Sequence, residues 1–337
     1  MKSKKSLYKV DLFTGIRPTG DLTIANYIGA VRPLLDLQKS NPNTMVFVAD
    51  IHALTDHELS VAEKNTPEIV ADYLALGLDP EKCEIFIQSS IKEEVLELTN
   101  LLLRHVTVSE LLRVPTLKEK MKEGQSVSQA NALLANYPVI MAADILLQRA
   151  KYVPVGEDQL PHMEMTRTIV KRFNKEYGEV FPEPMVQEVK PLRIKGLDGS
   201  AKMSKTHPEQ AIFLTDTQKE VKKKIKRATT AFEKEMTPAL ESHIELIRNL
   251  TTKETDLNKL EDILERHMKG EKVMGDFKEL MTSVVCEFLD NFQKKREYVK
   301  QDPTYISEIL EKGENIARKN ARETLDIVYK AMRAKEM

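Results

Sequence analysis

The chain has 337 residues, room for two domains at roughly 150 residues each, and its 41% hydrophobic and 31% charged residues exclude bulk disorder and low complexity. Lys and Arg number 51 against 52 Asp and Glu, a net charge of −1, so no global basic excess marks a nucleic-acid binder, although a local field can still make one. The two cysteines, Cys83 and Cys286, are too few for a disulfide framework or a four-cysteine metal site, and a reducing cytoplasm is the simplest setting.

The N-terminus, MKSKKSLYKVDLF, is basic but lacks the apolar region of a signal peptide. KVDLFTG (9–15) predicts a short strand ending in glycine, and NYIGAVRPLLDLQKS (26–40) a helix bent or broken near Pro33. The apolar run Met45 to Ala49 suits a parallel strand buried on both faces. Residues 65–80 predict a helix with Thr66 as candidate N-cap, Pro67 in the first turn and Gly77 near the stop. EIFIQSS (84–90) is the next strand. A helical insertion follows at about 92–150. Its most apolar stretch, 132–150, carries Asn136, Asp144, Gln148 and Arg149 and reads as a buried core helix rather than a bilayer span, so no membrane association is expected. KYVPVGED (151–158) and PLRIKGLDG (191–199) predict two more strands, with a helix at 160–172 between them. Strands alternating with helices imply an α/β fold with a doubly wound parallel sheet. From about 211 no strand pattern appears. Phe277, Leu280, Met281, Val284, Val285, Phe288, Leu289 and Phe292 hold a 3/4 spacing, and Ile306, Ile309, Leu310, Ala317, Ala321, Leu325 and Val328 hold another. These are amphipathic helices of a bundle. The compositional switch near 205–215 divides the chain into 1–210 and 211–337.

In an open parallel sheet, ligands bind at the carboxyl ends of the strands. Each predicted strand end here is polar: Thr14, Gly15 and Arg17 to Gly20; Asp50 and His52; Gln88, Ser89 and Ser90; Gly156 to Gln159. Polar turns are common, so this pattern alone is even-handed between a site and ordinary loops. TGIRPTGDLTIANYIGA (14–30) is a small-residue loop entering a helix near Asn26, which makes an anion site of the helix start. It is neither a Walker loop nor a G-x-G-x-x-G fingerprint. GLDGSAKMSKTHP (196–208) carries two lysines three residues apart on a Gly/Ser loop, suited to a polyphosphate whose charge changes during reaction.

Together these segments resemble a known family. TIAN (23–26) resembles the HIGH signature of class I aminoacyl-tRNA synthetases, and KMSKT (202–206) their KMSKS loop. FTGIRPTG, ADIHALT (49–55), YPVIMAADILL (137–147) and VPVGEDQLPHMEMTR (153–167) look like the bacterial-type tryptophanyl-tRNA synthetases, and the likeness runs through the whole chain. Three positions depart from the family pattern: Ala25 replaces a glycine, Thr206 a serine, and Arg17 a frequent glutamine. The Ala25 methyl is expected to crowd an adenine resting on the backbone there.

The resemblance implies a Rossmann-like catalytic domain over 1–210, a helical anticodon-binding domain over 211–337, a cytoplasmic homodimer joined through the insertion, and three ligands: L-tryptophan, ATP with Mg²⁺, and tRNA(Trp). It implies activation of tryptophan to its adenylate and transfer to tRNA. The carboxylate is ionised at pH 7, so the first step needs no general base. Positioning and charge stabilisation suffice, and the sequence shows neither a Ser-His-Asp set nor a protein metal cluster. Thr23 and Asn26 would bind phosphates. Arg17, Pro18, Thr19 and Ala25 would line the nucleotide, and Lys202, Met203, Ser204, Lys205 and Thr206 would follow the pyrophosphate. Gly156, Glu157 and Asp158 would meet the adenosine, and Ile194 the adenine. Glu157 and Asp158 also read as an N-cap pair for the helix at 160–172.

Tyr137, Met141 and Asp144 are spaced i, i+4 and i+7 and share one helix face. A carboxylate on an apolar face needs a partner, and an indole has one N–H donor and no acceptor. Asp144 is therefore the expected acceptor, with Tyr137 and Met141 as walls. By resemblance Phe13, His52 and Gln159 complete the pocket. Read alone, His52 is a packed structural histidine, and His162 has no assignment. TQKEVKKKIKRATT (217–230) sets Lys219, Lys222, Lys223, Lys224, Lys226 and Arg227 against Glu220: a solvated face by itself, a tRNA phosphate surface in a synthetase. The rival readings are a tyrosyl-tRNA synthetase, and a nucleotidyltransferase or regulator on the same fold.

Overall fold

The computed structural model describes residues 7–55, 57–115, 117, 130–188 and 192–336. Its five strands are β1 (Val10–Ile16), β2 (Thr44–Val48), β3 (Cys83–Ile87), β4 (Ala150–Val155) and β5 (Met185–Glu188). They form one sheet in the order β3-β2-β1-β4-β5, with every neighbouring pair parallel. The chain winds outward from β1 to β3, returns, and winds the other way from β4. The crevice of such a sheet opens where the winding reverses, between β1 and β4.

Alternation of side chains builds the two covering layers. Leu12, Val46, Val48 and Ile85 pack into one apolar cluster, whereas Phe13, Met45, Phe47 and Phe86 pack into the other. Every residue of β2 is buried, as expected of a strand covered on both faces.

The fifth strand lies earlier than 191–199. Position 191 is outside the described residues. Beyond it the backbone folds on itself: Met203 N–H donates to Ile194 O at 2.9 Å and Gly196 N–H to Ala201 O at 2.8 Å. This local hairpin takes the hydrogen bonds that a sheet strand would have used, while Ile194 and Leu197 still bury their side chains.

The helix expected at 26–40 begins as α1 (Ile24–Asn26), widens into a π turn over Tyr27–Val31, and continues as α2 (Arg32–Ser40). Pro33 cannot donate to the carbonyl four residues back, and its ring would collide with it. The wide turn, in which Arg32 N–H reaches Tyr27 O, absorbs that misfit. A short α3 (Asp50–Ala53) follows β2. α4 (Leu59–Leu76) starts well before residue 65, so Thr66 is no N-cap: it is buried mid-helix and its hydroxyl donates to Ala62 O at 2.8 Å. Pro67 is tolerated inside because Glu63, whose carbonyl it leaves without a donor, stands on the exposed face. Gly77 closes α4 at φ 110°, a left-handed cap suited to glycine.

The insertion contains α5 (Lys92–Leu102), α6 (Val108–Leu111) and α7 (Ala132–Leu147). Its stretch 118–129 lies outside the described residues. α8 (Leu160–Tyr177) joins β4 to β5. Then come α9 (Gln218–Arg227), α10 (Pro238–Leu250), α11 (Glu254–Lys269), α12 (Met274–Lys300) and α13 (Pro303–Glu336). α12 packs on α4, where Arg296 binds both Asp72 and Glu68. α13 runs back along β3, an edge strand of the sheet. Ile306, Ile309 and Leu310 pack against the first cluster, and Ala317, Ala321, Leu325 and Val328 enter the second. A helix on an edge strand shields the unpaired backbone that would otherwise recruit another chain. Among the described residues no helix is long and apolar enough to cross a membrane.

Candidate active site

A cavity of about 410 Å³ opens at the carboxyl ends of β1 and β4. Gly15 makes its floor. A Cβ there would lie 2.6 Å from the Phe47 ring, so only glycine lets Phe47 lie across β1, stacked 4.9 Å from Phe13.

The deep end is built on α7. Tyr137, Met141 and Asp144 line it together with Phe13, His52 and Gln159. Asp144 is 4% exposed. Its Oδ2 accepts from His52 Nε2 and from Gln88 Nε2, both at 2.8 Å, while Gln88 Oε1 accepts the His52 backbone N–H at 3.3 Å. Burial pushes the Asp144 carboxyl up, against the pull of the His52 and Gln88 bonds. Oδ1 has no hydrogen bond among the described residues and is left for an incoming donor. The His52 and Tyr137 rings lie 4.4 Å apart, and Tyr137 and His162 5.3 Å apart. His162 Nδ1 meets Gln159 Oε1 at 2.8 Å, and Gln159 Nε2 donates to Asp158 Oδ2 at 2.6 Å. The deep end is an aromatic and apolar slot with a carboxylate at its base.

Gln88 and His162 stand behind the lining, Gln88 bonded to Asp144 and His162 to Gln159, and sequence reasoning assigned neither a role in the pocket. Gln88 carried a signal, a polar residue closing the apolar run of β3, but its partner is 56 positions away. His162 carried none, because a histidine on a half-buried helix is ordinary.

At the outer end, Arg17, Gly156, Asp158 and Lys202 line the cavity, along with Gly29, Ala30, Pro33, Leu34 and Tyr73, none of which the sequence singled out as a ligand contact. Thr23 and Asn26 cap the helix start: Asn26 N–H donates to Thr23 Oγ1 at 3.2 Å, and Asn26 Oδ1 accepts from Thr23 N–H at 3.0 Å. The Asn26 NH₂ stays free of partners among the described residues. Ala25, Ile194 and Met203 are 4%, 1% and 4% exposed and belong to the apolar core rather than to the cavity wall. The Ala25 side chain thus lies in the apolar cluster, outside the cavity lining. Pro18, Thr19, Ser204, Lys205 and Thr206 stand outside the lining, on the two loops beside it.

Those two loops are tied together. Ile24 N–H donates to Ile212 O at 2.9 Å and Leu214 N–H to Leu22 O at 2.8 Å. Lys205 Nζ donates to Gly20 O at 2.8 Å and to Thr19 O at 3.4 Å. Burial pushes its ammonium down, and the charges of Asp21 and Asp72 pull it back up. Ser204 and Thr206 share a hydroxyl hydrogen bond of 2.6 Å. Gly199, at φ 76°, brings the loop against α10, where a Cβ would lie 2.5 Å from Ala239 Cβ.

Glu157 and Asp158 do not cap α8. They form a 3₁₀ turn with Gln159 before it, and no side chain caps either element. Glu157 points outward to Arg193 at 3.3 Å, which leaves Asp158 on the cavity. Among the described residues no three His, Cys, Asp or Glu side chains cluster to hold a metal ion. The whole is a slot for an apolar group bearing one donor, opening toward loops that carry three cations.

The family of "tRNA synthetases class I (W and Y)" matches residues 5–290. A tryptophan–tRNA ligase of Treponema pallidum is 36% identical over 334 residues, covering 95% of this chain and 96% of its own. That of Halalkalibacterium halodurans is 37% identical, covering 96% and 98%. The crystal structure of Campylobacter jejuni tryptophanyl-tRNA synthetase complexed with ADP and tryptophan superposes with a TM-score of 0.82 at 32% identity, covering 96% of this chain and 99% of that one.

Proposed function

The chain belongs to the class I tRNA synthetases of the tryptophan and tyrosine type, and from that membership we propose how its residues carry out the work of a tryptophan–tRNA ligase. Such an enzyme activates L-tryptophan with ATP, giving tryptophanyl-adenylate and pyrophosphate, and then esterifies a terminal ribose hydroxyl of tRNA(Trp). The observation that carries the choice of amino acid is Asp144, a buried carboxylate with one oxygen held by His52 and Gln88 in an aromatic slot. It accepts the indole N–H, and Phe13, Tyr137 and Met141 hold the rings. Gln159 faces the same space and meets the polar end of the amino acid.

In the first step the tryptophan carboxylate oxygen forms a bond to the α-phosphorus as the bond to pyrophosphate breaks. The attacking group is already an anion, so no side chain has to remove a proton. Negative charge moves toward the leaving pyrophosphate. Lys202 meets it from the cavity rim, and Lys205 does so after exchanging Gly20 O and Thr19 for phosphate oxygens. Removing one preorganised donor of this sort costs roughly 10²–10³ in rate. Arg17 and the Asn26 NH₂ hold phosphate oxygens at the helix start, with Thr23 fixing Asn26 and Pro18 and Thr19 shaping the loop. Ser204 and Thr206 keep the lysine loop in register. Gly156, Glu157 and Asp158 serve the ribose, and Ile194 and Met203, from the core, back the adenine side. Mg²⁺ arrives with ATP as part of the substrate.

Residues 211–337 serve as the anticodon-binding domain, except that α9, at its start beside the lysine loop, offers its lysines to tRNA phosphates nearer the catalytic end. Lys224 is the exception: it pairs with Asp216 at 2.6 Å and is mostly buried, so five cations of the patch remain outward. A cytoplasmic homodimer joined through the insertion completes the reading.

ATP–pyrophosphate exchange with each amino acid in turn tests it. Exchange with tryptophan and not with tyrosine is expected. Exchange with tyrosine alone would reassign the pocket, and exchange with none would remove the enzyme.

A further inference from the structure

The segment 228–237, between α9 and α10, is not part of the site just described. It is held at both ends. Thr229 N–H donates to Leu197 O at 2.8 Å in the lysine-loop hairpin, and Thr237 Oγ1 donates to Thr230 O at 3.1 Å. Lys234 N–H donates to His267 O at 3.2 Å at the end of α11, and the His267 ring meets Glu235 O at 2.8 Å. Lys234 takes φ 66°, a left-handed conformation that a lysine adopts only when its surroundings impose it. On this fixed loop Phe232 is 78% exposed. A bare phenyl ring on a fixed backbone forgoes burial that a flexible loop would have found.

The ring has a cationic neighbour. Lys219, Lys222, Lys223, Lys226 and Arg227 are exposed on α9, and among the described residues none of them enters an ion pair. Arg227 precedes Phe232 by five residues, which span at most about 18 Å. Glu233 and Glu235 follow Phe232 in the chain, on either side of Lys234. The cationic surface for phosphates is α9, whereas the loop offers an apolar ring among charges of both signs.

We propose that Phe232 is a stacking platform for an unpaired base at the 3′ end of the tRNA, with α9 holding the adjoining phosphates. Aromatic stacking beside a cationic track is how single strands are gripped, and a base inside a duplex has no free face to offer. The 3′ end is chosen over the anticodon because Thr229 is bonded to the hairpin whose Lys202 borders the cavity, where the terminal ribose must arrive. This rests on the tRNA-ligase reading above.

The test is equilibrium binding of tRNA(Trp) transcripts, with tRNA-free ATP–pyrophosphate exchange as the control for folding. Phe232→Ala should weaken intact tRNA roughly tenfold and raise its KM by a like factor. Phe232→Trp should restore binding, and Phe232→Leu should not, since leucine matches the apolar surface without a π face. Transcripts lacking the unpaired 3′ nucleotides should bind wild type and Phe232→Ala equally. Unchanged binding of intact tRNA by Phe232→Ala, rescue by leucine, or a difference that persists on truncated tRNA would each overturn the proposal. Absence of tryptophan-dependent exchange in the wild type would instead overturn the underlying reading.

Discussion

Two side chains at the base of the slot decide how sharply Asp144 works. His52 and Gln88 both bond Oδ2, which fixes the carboxylate plane and presents Oδ1 to the ligand. Asp144→Ala removes the acceptor and opens space, while the nucleotide loops stay intact. A hydrogen bond to a charged group is worth about 1.5–3 kcal/mol, so kcat/KM for tryptophan in exchange should fall at least tenfold with ATP KM almost unmoved. Discrimination against phenylalanine should shrink most, because rejection by an unpaired buried polar group is the strong kind. Retained selectivity over both phenylalanine and tyrosine would place recognition elsewhere. At the other end of the cavity Lys205 is docked on Gly20 and Thr19. Lys205→Ala should slow single-turnover adenylate formation by roughly 10²–10³ and leave tryptophan affinity near wild type. A rate within about threefold of wild type would return Lys205 to a purely structural contact.

Among the helices, α13 is packed directly on the sheet. Its Gly313 rests on β3 so closely that an added Cβ would lie 2.0 Å from Ile85 O and 2.6 Å from its carbonyl carbon. No flexible side chain is there to yield. Alanine favours a helix interior over glycine by about 1 kcal/mol, yet overpacking a rigid contact costs about 1–3 kcal/mol, occasionally more. The collision is with backbone, so the upper part of that range applies and Gly313→Ala should be net destabilising by about 2 kcal/mol. Urea unfolding would register this as a lower midpoint at unchanged slope. A midpoint equal to wild type would mean that α13 lifts off the edge strand at no cost. α12 meets the same layer through chemistry rather than shape. Arg296 holds Glu68 and Asp72 on α4, and Asp72 is buried enough that desolvation outweighs the arginine and pushes its carboxyl up. The pair fixes where α12 sits more than it adds stability.

At the scale of the whole molecule, a buried histidine contributes to acid sensitivity. His243 on α10 is 0% exposed, neither ring nitrogen has a partner among the described residues, and burial, helped by the Lys278 charge, pushes its pKa down to about 4. In the unfolded chain it titrates near 6.5. Between those values the unfolded state binds a proton that the folded state refuses. The stability from keeping this ring neutral is thus complete above about pH 6.5 and is lost as pH falls toward 4, by about 3 kcal/mol. His243→Leu should flatten the pH dependence of the urea midpoint over that window. An equally steep profile in the variant would assign the acid sensitivity to other groups.

Much of this protein is legible in its amino-acid order because much of it is local. Alternating apolar runs and 3.6-residue periodicities announced the parallel sheet and the helical second half. The spacing of Tyr137, Met141 and Asp144 put three pocket residues on one face before any strand was paired. Local signals misled where two local structures competed. The run 191–199 has the composition of a strand but closes a hairpin with Ala201–Met203, and Thr66-Pro67 has the letters of a helix start but lies within α4. What the order of residues could not hold is partnership across the fold. Gln88 reaches Asp144 only because β3 ends beside α7, Lys205 finds Gly20 only because 212–214 is stitched to the first loop, and Gly313 matters only because α13 returns to β3. Periodicity fixes which face of an element is apolar. Only close packing of the finished sheet fixes which distant side chain that face will meet.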